Sequence, residues 1–102
     1  MKKILLLIAF LIIPGLTQSQ TESVVKGQII DGANDKPIEN VNIVNLNQVN
    51  GTITNKLGEF EIEAKPNDTI HLSYLGYKSI KVRVTNDWIN FGNRTTIKLT
   101  EL

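Results

Sequence analysis

The sequence has no cysteine among its 102 residues and only one histidine, His71. The first absence excludes disulfide bonds, thiol nucleophiles and cysteine-ligated metals, so the chain has to be held together by the packing of its core. The second leaves His71 without the partner histidine that a zinc site needs at ligand spacing. His71 falls on the polar side of its predicted strand, where we expect a residue on the exposed face or at an edge of the sheet. We expect no metal site and no cofactor.

An excess of charge of one sign is also missing. The 11 lysines and arginines stand against 10 aspartates and glutamates, for a formal net charge of +1. A chain this close to neutrality lacks the basic patch that attracts a nucleic acid or an anionic membrane surface. We therefore expect no nucleic-acid partner.

The longest hydrophobic run lies at the N-terminus and is short. Lys2 and Lys3 precede an unbroken apolar run over residues 4–13, and small or polar residues follow a Pro-Gly break. This order is typical of a secretory signal peptide, whereas a helix of this length crosses only about half of the roughly 30 Å hydrocarbon core. We predict a signal peptide over residues 1–19, cleavage after Ser19, and export to the periplasm, the outer-membrane surface or the medium.

Residues 20–102 are predicted to form one domain without a transmembrane segment. Hydrophobic residues recur there at every second position; for example, Ile80 and Val82 alternate with Lys81 and Arg83. Such segments recur about every ten residues and are separated by turn-forming residues, with no helical stretch predicted after the signal peptide. The pattern predicts an all-β fold, a single seven-stranded antiparallel Greek-key β-sandwich.

Asparagines mark several of the predicted turns. Asn50-Gly51 lies between two β-branched segments and is typical of a tight hairpin, whose turn needs positive φ angles. Asn50, Asn67 and Asn93 each also begin an N-x-[ST] sequon. Because asparagine is favoured in turns for backbone reasons, we interpret all of the sequons as turn residues.

A row of glutamates could indicate an acid–base pair, a calcium site or a solvated strand face. Glu59, Glu61 and Glu63 fall at every second position of the segment G-E-F-E-I-E-A, with hydrophobic residues between them. This alternation predicts a half-buried strand whose acidic face is in water, because a catalytic carboxylate would need a cleft that raises its pKa. The predicted cross-strand partners of the acids are basic residues on other strands: Lys81, Arg83 and Lys98.

Two further groups are candidates for a site. Asp31, Asn34 and Asp35 form a polar cluster, but the spacing of a calcium-binding loop is missing, so we interpret them as a turn. Trp88 and Phe91 lie in the last long connection. They either cap one end of the core or form a small exposed aromatic contact for a partner. No catalytic residues are predicted.

Four segments of the chain, taken in order, resemble one protein family. They are V-x-G-x-I-x-D at residues 25–31, K-P-I-x-N-V-N-I at 36–43, G-T-I-T-N-K-L-G-E-F-E-I at 51–62 and L-S-Y-L-G-Y-K at 72–78. The family is the carboxypeptidase regulatory-like domain, a transthyretin-like β-sandwich, and the resemblance runs over roughly residues 24–99. The family's usual aspartate after the last threonine of G-T-x-T is Asn55 here.

The resemblance implies an accessory module without catalytic activity. Domains of this family occur alone, attached to metallocarboxypeptidases, or at the N-terminus of TonB-dependent outer-membrane receptors. We therefore expect a non-enzymatic, exported module that binds an envelope protein, a receptor or a glycan. The alternative is an accessory module or fragment of a TonB-dependent receptor for nutrient uptake. Homotypic pairing of edge strands also stays open.

An enzyme on the transthyretin scaffold is the third hypothesis. The hydroxyisourate hydrolases resemble transthyretin, use several histidines and end in Tyr-Arg-Gly-Ser. This chain has only His71 and ends in Thr-Glu-Leu. The resemblance therefore does not extend to the residues of that reaction.

Overall fold

The computed structural model describes residues 23–92 and 94–102, so the predicted signal peptide and its cleavage site lie outside the described residues. The strands are β1 (Val24–Asp31), β2 (Asn42–Asn45), β3 (Asn50–Ile53), β4 (Glu59–Glu63), β5 (Thr69–Ser73), β6 (Ile80–Arg83) and β7 (Thr95–Leu99). One short helix, α1 (Asn86–Phe91), lies between β6 and β7. Within these two ranges no helix is long and apolar enough to cross a membrane.

Two sheets form the described part of the chain. Strands β4-β1-β7 make a three-stranded sheet, and β3-β2-β5-β6 make a four-stranded one. The connections β1–β2, β3–β4, β4–β5 and β6–β7 therefore each pass from one sheet to the other. The all-β class and the two-sheet sandwich predicted from the sequence are confirmed.

The core is formed by the hydrophobic side chains of the alternating segments. In β4, Phe60 and Ile62 are buried while Glu61 is exposed. In β5, Ile70 and Leu72 are completely buried. Because the side chains of a strand alternate between its two faces, each sheet contributes one hydrophobic face to the interior. The buried hydrophobic cluster consists of Val25, Ile29, Ile38, Val41, Ile43, Phe60, Ile62, Ala64, Ile70, Leu72, Val84 and Leu99.

Strand β1 is the centre of the smaller sheet, and its pairing corrects one prediction. It pairs antiparallel with β4 but parallel with β7, with Gly27 opposite Thr95 and Ile29 opposite Ile97. The sandwich is therefore not purely antiparallel. A parallel pair needs a long crossover, and here the whole chain between β1 and β7 supplies it.

A second correction concerns the connection after β6, for which no helix was predicted. Thr85 caps the helix α1, because its Oγ1 accepts a hydrogen bond from the backbone N of Trp88 at 3.2 Å. Gly92 ends the helix in the left-handed conformation, at φ 62°. Six residues are too few to produce a visible 3.6-residue period, although both caps are standard helix signals.

The hairpin between β2 and β3 is a third correction. Its turn comprises residues 46–49, and Asn50 and Gly51 are already in β3, opposite Asn45 and Val44. The positive φ angle falls on Val49, at 54°. The buried side chain of Asn45 determines this position, because its Oδ1 accepts hydrogen bonds from the backbone N of Asn47 and of Gln48, the two middle residues of the turn.

The sequons, all predicted to lie at turns, have different positions in the structure. Asn50 lies in a strand rather than at a turn, contrary to the prediction. Asn67 lies at a turn as predicted, with φ of 73°. Asn93 lies outside the described residues.

Candidate contact surfaces

The glutamate row lies on the outer face of the smaller sheet, as predicted. Glu61 stands directly opposite Lys26 of β1, and Glu59 forms an ion pair with Arg94, which precedes β7. The Glu59 side chain is about a quarter exposed. These carboxylates are thus part of a solvated ionic surface, which is the interpretation favoured by the alternation of the strand.

The predicted partners of the glutamates were wrong. Lys81 and Arg83 lie on β6, which belongs to the other sheet. Lys98 lies on β7 in the same sheet but pairs with Asp35, with 3.5 Å between its Nζ and the carboxylate Oδ1. The basic residues that face Glu61 and Glu59 could not be chosen without the strand order, because they lie on the neighbouring strand β1 and in the segment before β7.

His71 lies on the outer face of the four-stranded sheet. It stands between Val44 of β2 and Lys81 of β6, so it is not at an edge, and it is half-buried. Among residues 23–92 and 94–102, no group of three His, Cys, Asp or Glu side chains is placed to hold a metal ion.

The polar cluster at the end of β1 is a turn, as predicted, and it is tied to a residue that the sequence did not connect to it. The Asp31 Oδ1 accepts hydrogen bonds from the backbone N of Ala33 at 2.7 Å and of Asn34 at 3.3 Å. Its other oxygen, Oδ2, accepts a 2.7 Å hydrogen bond from the Tyr77 hydroxyl. The Asp31 side chain therefore joins the β1 turn to the loop before β6.

The charges at this point favour an ionised aspartate and a neutral tyrosine. The hydrogen bond from Tyr77, with those from the backbone of Ala33 and Asn34, lowers the pKa of Asp31 from its usual 3.8 despite the opposing effect of burial. The same hydrogen bond, with burial and the negative charges of Asp31 and Glu101, raises the pKa of Tyr77 from 10.0 to about 12.

A second buried polar network lies at the other end of the sandwich and was not predicted. Asn45 is completely buried, and its Nδ2 donates to the Asp68 Oδ2 at 2.9 Å and to the Glu63 carbonyl at 3.1 Å. Asp68 Oδ2 also accepts from Gln48 Nε2 at 2.8 Å and from the Lys65 backbone N at 2.9 Å. The network joins the β2–β3 turn to the β4–β5 turn.

Asp68 is also held in its ionised form. Burial raises the pKa of Asp68, but the hydrogen bonds from Asn45, the Lys65 backbone and Gln48 outweigh it, so that the pKa is lowered from 3.8. The Asp68 carboxylate is therefore a structural acceptor at neutral pH.

Trp88 and Phe91, the predicted aromatic pair, have different environments. The Trp88 ring packs against the hydrophobic core, and its Nε1 donates a 2.8 Å hydrogen bond to the Lys26 carbonyl of β1. Strand β7 first pairs with β1 at Gly27. The Trp88 indole thus satisfies a carbonyl of β1 just before the β7 ladder begins, which fits the interpretation that it caps the core.

Phe91 ends the same helix but is 70% exposed. It therefore fits the other interpretation, an exposed aromatic contact. The sequence could not separate the two residues, because both are large and aromatic and lie in one irregular connection.

The two lateral sides of the sandwich, where the edge strands of the two sheets lie next to each other, differ. The closed side is defined by the edge strands β6 and β7. There, residues 100–102 continue past β7 and run alongside residues 76–78. Two backbone hydrogen bonds of 2.9 Å join these segments, from Lys78 N to the Thr100 carbonyl and from Leu102 N to the Gly76 carbonyl. On the open side, defined by the edge strands β3 and β4, no strand pairing among the described residues joins the two sheets. Large exposed side chains occur along the open side at Val49, Ile53 and Leu57.

Comparison with known proteins agrees with the motifs. The model of the CarboxypepD_reg-like domain family matches residues 25–101, a range that includes nearly all of β1 and every later element. No curated protein matches the chain. The predicted resemblance is confirmed.

Proposed function

The chain belongs to the CarboxypepD_reg-like domain family, whose members are non-catalytic β-sandwich modules, and we propose that it is exported and acts by binding a protein of the cell envelope. The observation that carries this proposal is the exposed Phe91 on a helix that Trp88 anchors to the core. A large aromatic side chain on a helix that is anchored to the core is the kind of group that contributes most of the binding energy at the centre of protein interfaces.

The described groups whose pKa values are shifted are not poised for acid–base catalysis. A general acid or base works best when its pKa lies near the operating pH. The pKa values of the buried Asp31 and Asp68 are instead lowered by hydrogen bonds, and that of Tyr77 is raised to about 12. Each of these groups is held in the form that it already has at pH 7.

Export is supported by the N-terminal sequence. Two lysines, an apolar run over residues 4–13 and small residues up to Ser19 have the order of a cleavable signal. Cell fractionation and the mass of the purified chain test this directly. We expect the protein in the envelope fraction with Gln20 as its first residue; a cytoplasmic chain that keeps residues 1–19 would contradict it.

Attachment to a TonB-dependent receptor remains the alternative function. Family membership supports it as well as it supports a free module. The size of the gene product in the cell distinguishes a free module from a module of a receptor. A product whose sequence continues past Leu102 into a further domain would favour the receptor module.

Site-specific photo-crosslinking in the producing cell tests the contact. A photoreactive phenylalanine analogue at position 91 should yield one crosslinked product with an envelope protein. The same analogue at Leu57, which is 59% exposed, is the matched control and should not yield that product. Equal crosslinking at both positions, or a glycan rather than a protein at position 91, would contradict the proposal.

A further inference from the structure

Strand β3 presents unpaired backbone groups to solvent. It is an edge of the four-stranded sheet and pairs only with β2. The backbone of Thr54, just after β3, bonds on the β2 side, since its N donates to the Val41 carbonyl and its carbonyl accepts from Asn40 N. In an antiparallel ladder this direction alternates along the strand. The N–H and C=O groups of Gly51 and Ile53 therefore point away from β2.

Charge distinguishes β3 from the other edge strands in the described residues. Strand β6 carries the exposed Lys81 and Arg83, β4 carries its row of glutamates, and β7 carries Lys98. Charged side chains on an edge oppose the addition of another strand. The sequence of β3, by contrast, is Asn-Gly-Thr-Ile, without a charge.

We propose that β3 pairs antiparallel with β3 of a second copy of this chain, joining two four-stranded sheets across a twofold axis. Self-pairing places each edge strand against its own sequence. It would bring like charges close together at β4, at β6 and, through Lys98, at β7, which is destabilising, but it brings none together at β3. Strand β3 is therefore the edge strand of the described residues that can pair with a second copy without repulsion between like charges. The inference does not depend on the partner proposed for Phe91.

The outward groups determine the register of the pair. A ladder centred on Thr52 places Gly51 opposite Ile53 of the second copy, so that these two residues exchange both of their backbone hydrogen bonds. Gly51 has no side chain on the outer face, and it therefore leaves room for the opposing Ile53 side chain. Ile53 is 56% exposed in the isolated chain, and pairing covers it.

Thr52 supplies a direct test because it faces its own copy at the twofold axis. In this register the two Thr52 residues form a non-hydrogen-bonded pair, with Cα atoms about 4.5 Å apart, which lies within the range that a disulfide bridges. The chain has no native cysteine. Under a mild oxidant, purified Thr52→Cys chain should thus form a covalent dimer. The matched control is Thr96→Cys on the exposed surface of β7.

We expect Thr52→Cys to form the dimer at least roughly tenfold faster than Thr96→Cys at equal concentration, because pairing raises the effective thiol concentration. Equal rates would overturn the proposal. Melting curves of both variants show whether they fold. A Thr52→Cys variant that cross-links instead to an extended segment of another protein would also overturn it.

A second variant avoids any change on the inner face of β3. Ile53→Lys puts a positive charge on each side of the twofold axis, whereas Thr96→Lys adds the same charge elsewhere. Sedimentation over rising concentration should show association of the unmodified chain and of Thr96→Lys, and its loss in Ile53→Lys. A chain that stays monomeric at millimolar concentration, or a dimer that survives Ile53→Lys, contradicts the pairing.

Discussion

The closed and open sides of the sandwich are both formed by edge strands, but only the closed side is joined by hydrogen bonds between the two sheets. On the closed side, residues 100–102 run along residues 76–78, and the Tyr77 hydroxyl bonds to Asp31 of the other sheet. On the open side, β3 keeps its outward backbone groups and no charged side chain. The two sides of one fold therefore differ: hydrogen bonds join the sheets on the closed side, whereas the open side keeps an uncharged edge strand.

The largest expected contrast comes from one substitution made on each side. Gly58, before β4, has φ of 73°, and a Cβ there would overlap the Ile29 carbonyl oxygen. Gly76 has φ of 89°, but a Cβ there meets nothing within 4 Å. We expect Gly58→Ala to lower the free energy of unfolding by about 3 kcal/mol or more, and Gly76→Ala by about 1 kcal/mol.

Urea unfolding of the two alanine variants measures this contrast. The Gly58 variant also loses the 2.7 Å hydrogen bond from Ile29 N to the Gly58 carbonyl if the turn moves. Equal losses at both positions would show that the positive φ angle alone matters and that the close approach at Gly58 does not.

The closed side should be sensitive to pH through Asp31 and Tyr77. Because the pKa of Asp31 is lowered in the folded chain, its contribution to stability is present above about pH 4 and is lost as the pH falls through the folded pKa. Because the pKa of Tyr77 is raised from 10.0 to about 12, its contribution is complete below pH 10 and is lost between those values.

Tyr77→Phe tests both arms of this profile. It should lower the melting temperature by several degrees at pH 7. It should also remove the loss of stability that Tyr77 causes at alkaline pH and reduce the loss of stability that Asp31 causes at acid pH. Tyr74→Phe is the control, because among the described residues the Tyr74 hydroxyl has no hydrogen bond, although its ring centre lies 5.9 Å from that of Tyr77. Identical profiles for the two variants would contradict the role of the Asp31–Tyr77 bond.

The smallest effects are expected in helix α1, next to the closed side. Trp88→Phe removes the hydrogen bond to the Lys26 carbonyl and should cost about 1 kcal/mol of unfolding free energy. Phe91→Ala changes an exposed side chain and should stay within about 0.5 kcal/mol. Thermal unfolding distinguishes them, and a large loss for Phe91→Ala would mean that Phe91 belongs to the core.

The alternation of side chains predicted most of the fold. Phe60, Ile62, Ile70 and Leu72 are buried where period two placed them. The parallel pairing of β7 with β1 was missed, because strand order depends on contacts between distant segments and leaves no local pattern. Helix α1 was missed although Thr85 and Gly92 are ordinary caps, because the helix is shorter than two turns.

The contact surfaces were less predictable. A buried asparagine moved the hairpin turn: Asn45 bonds to the backbone of Asn47 and Gln48, which overrides the usual preference of Asn50-Gly51 for the turn. The Asp31–Tyr77 hydrogen bond joins residues 46 positions apart. Nor could the sequence identify the uncharged edge, because a strand becomes an edge only once the sheet order is known.

Amide hydrogen exchange along β3, followed by NMR at low and high protein concentration, tests the open edge most directly. In dilute chain, the Gly51 and Ile53 amides should exchange at the rates of exposed groups, while the Thr52 amide between them, which faces β2, is protected. At high concentration, Gly51 and Ile53 should become protected as well. Protection of these two amides that does not depend on concentration, or exchange that stays fast at every concentration, would contradict pairing through β3.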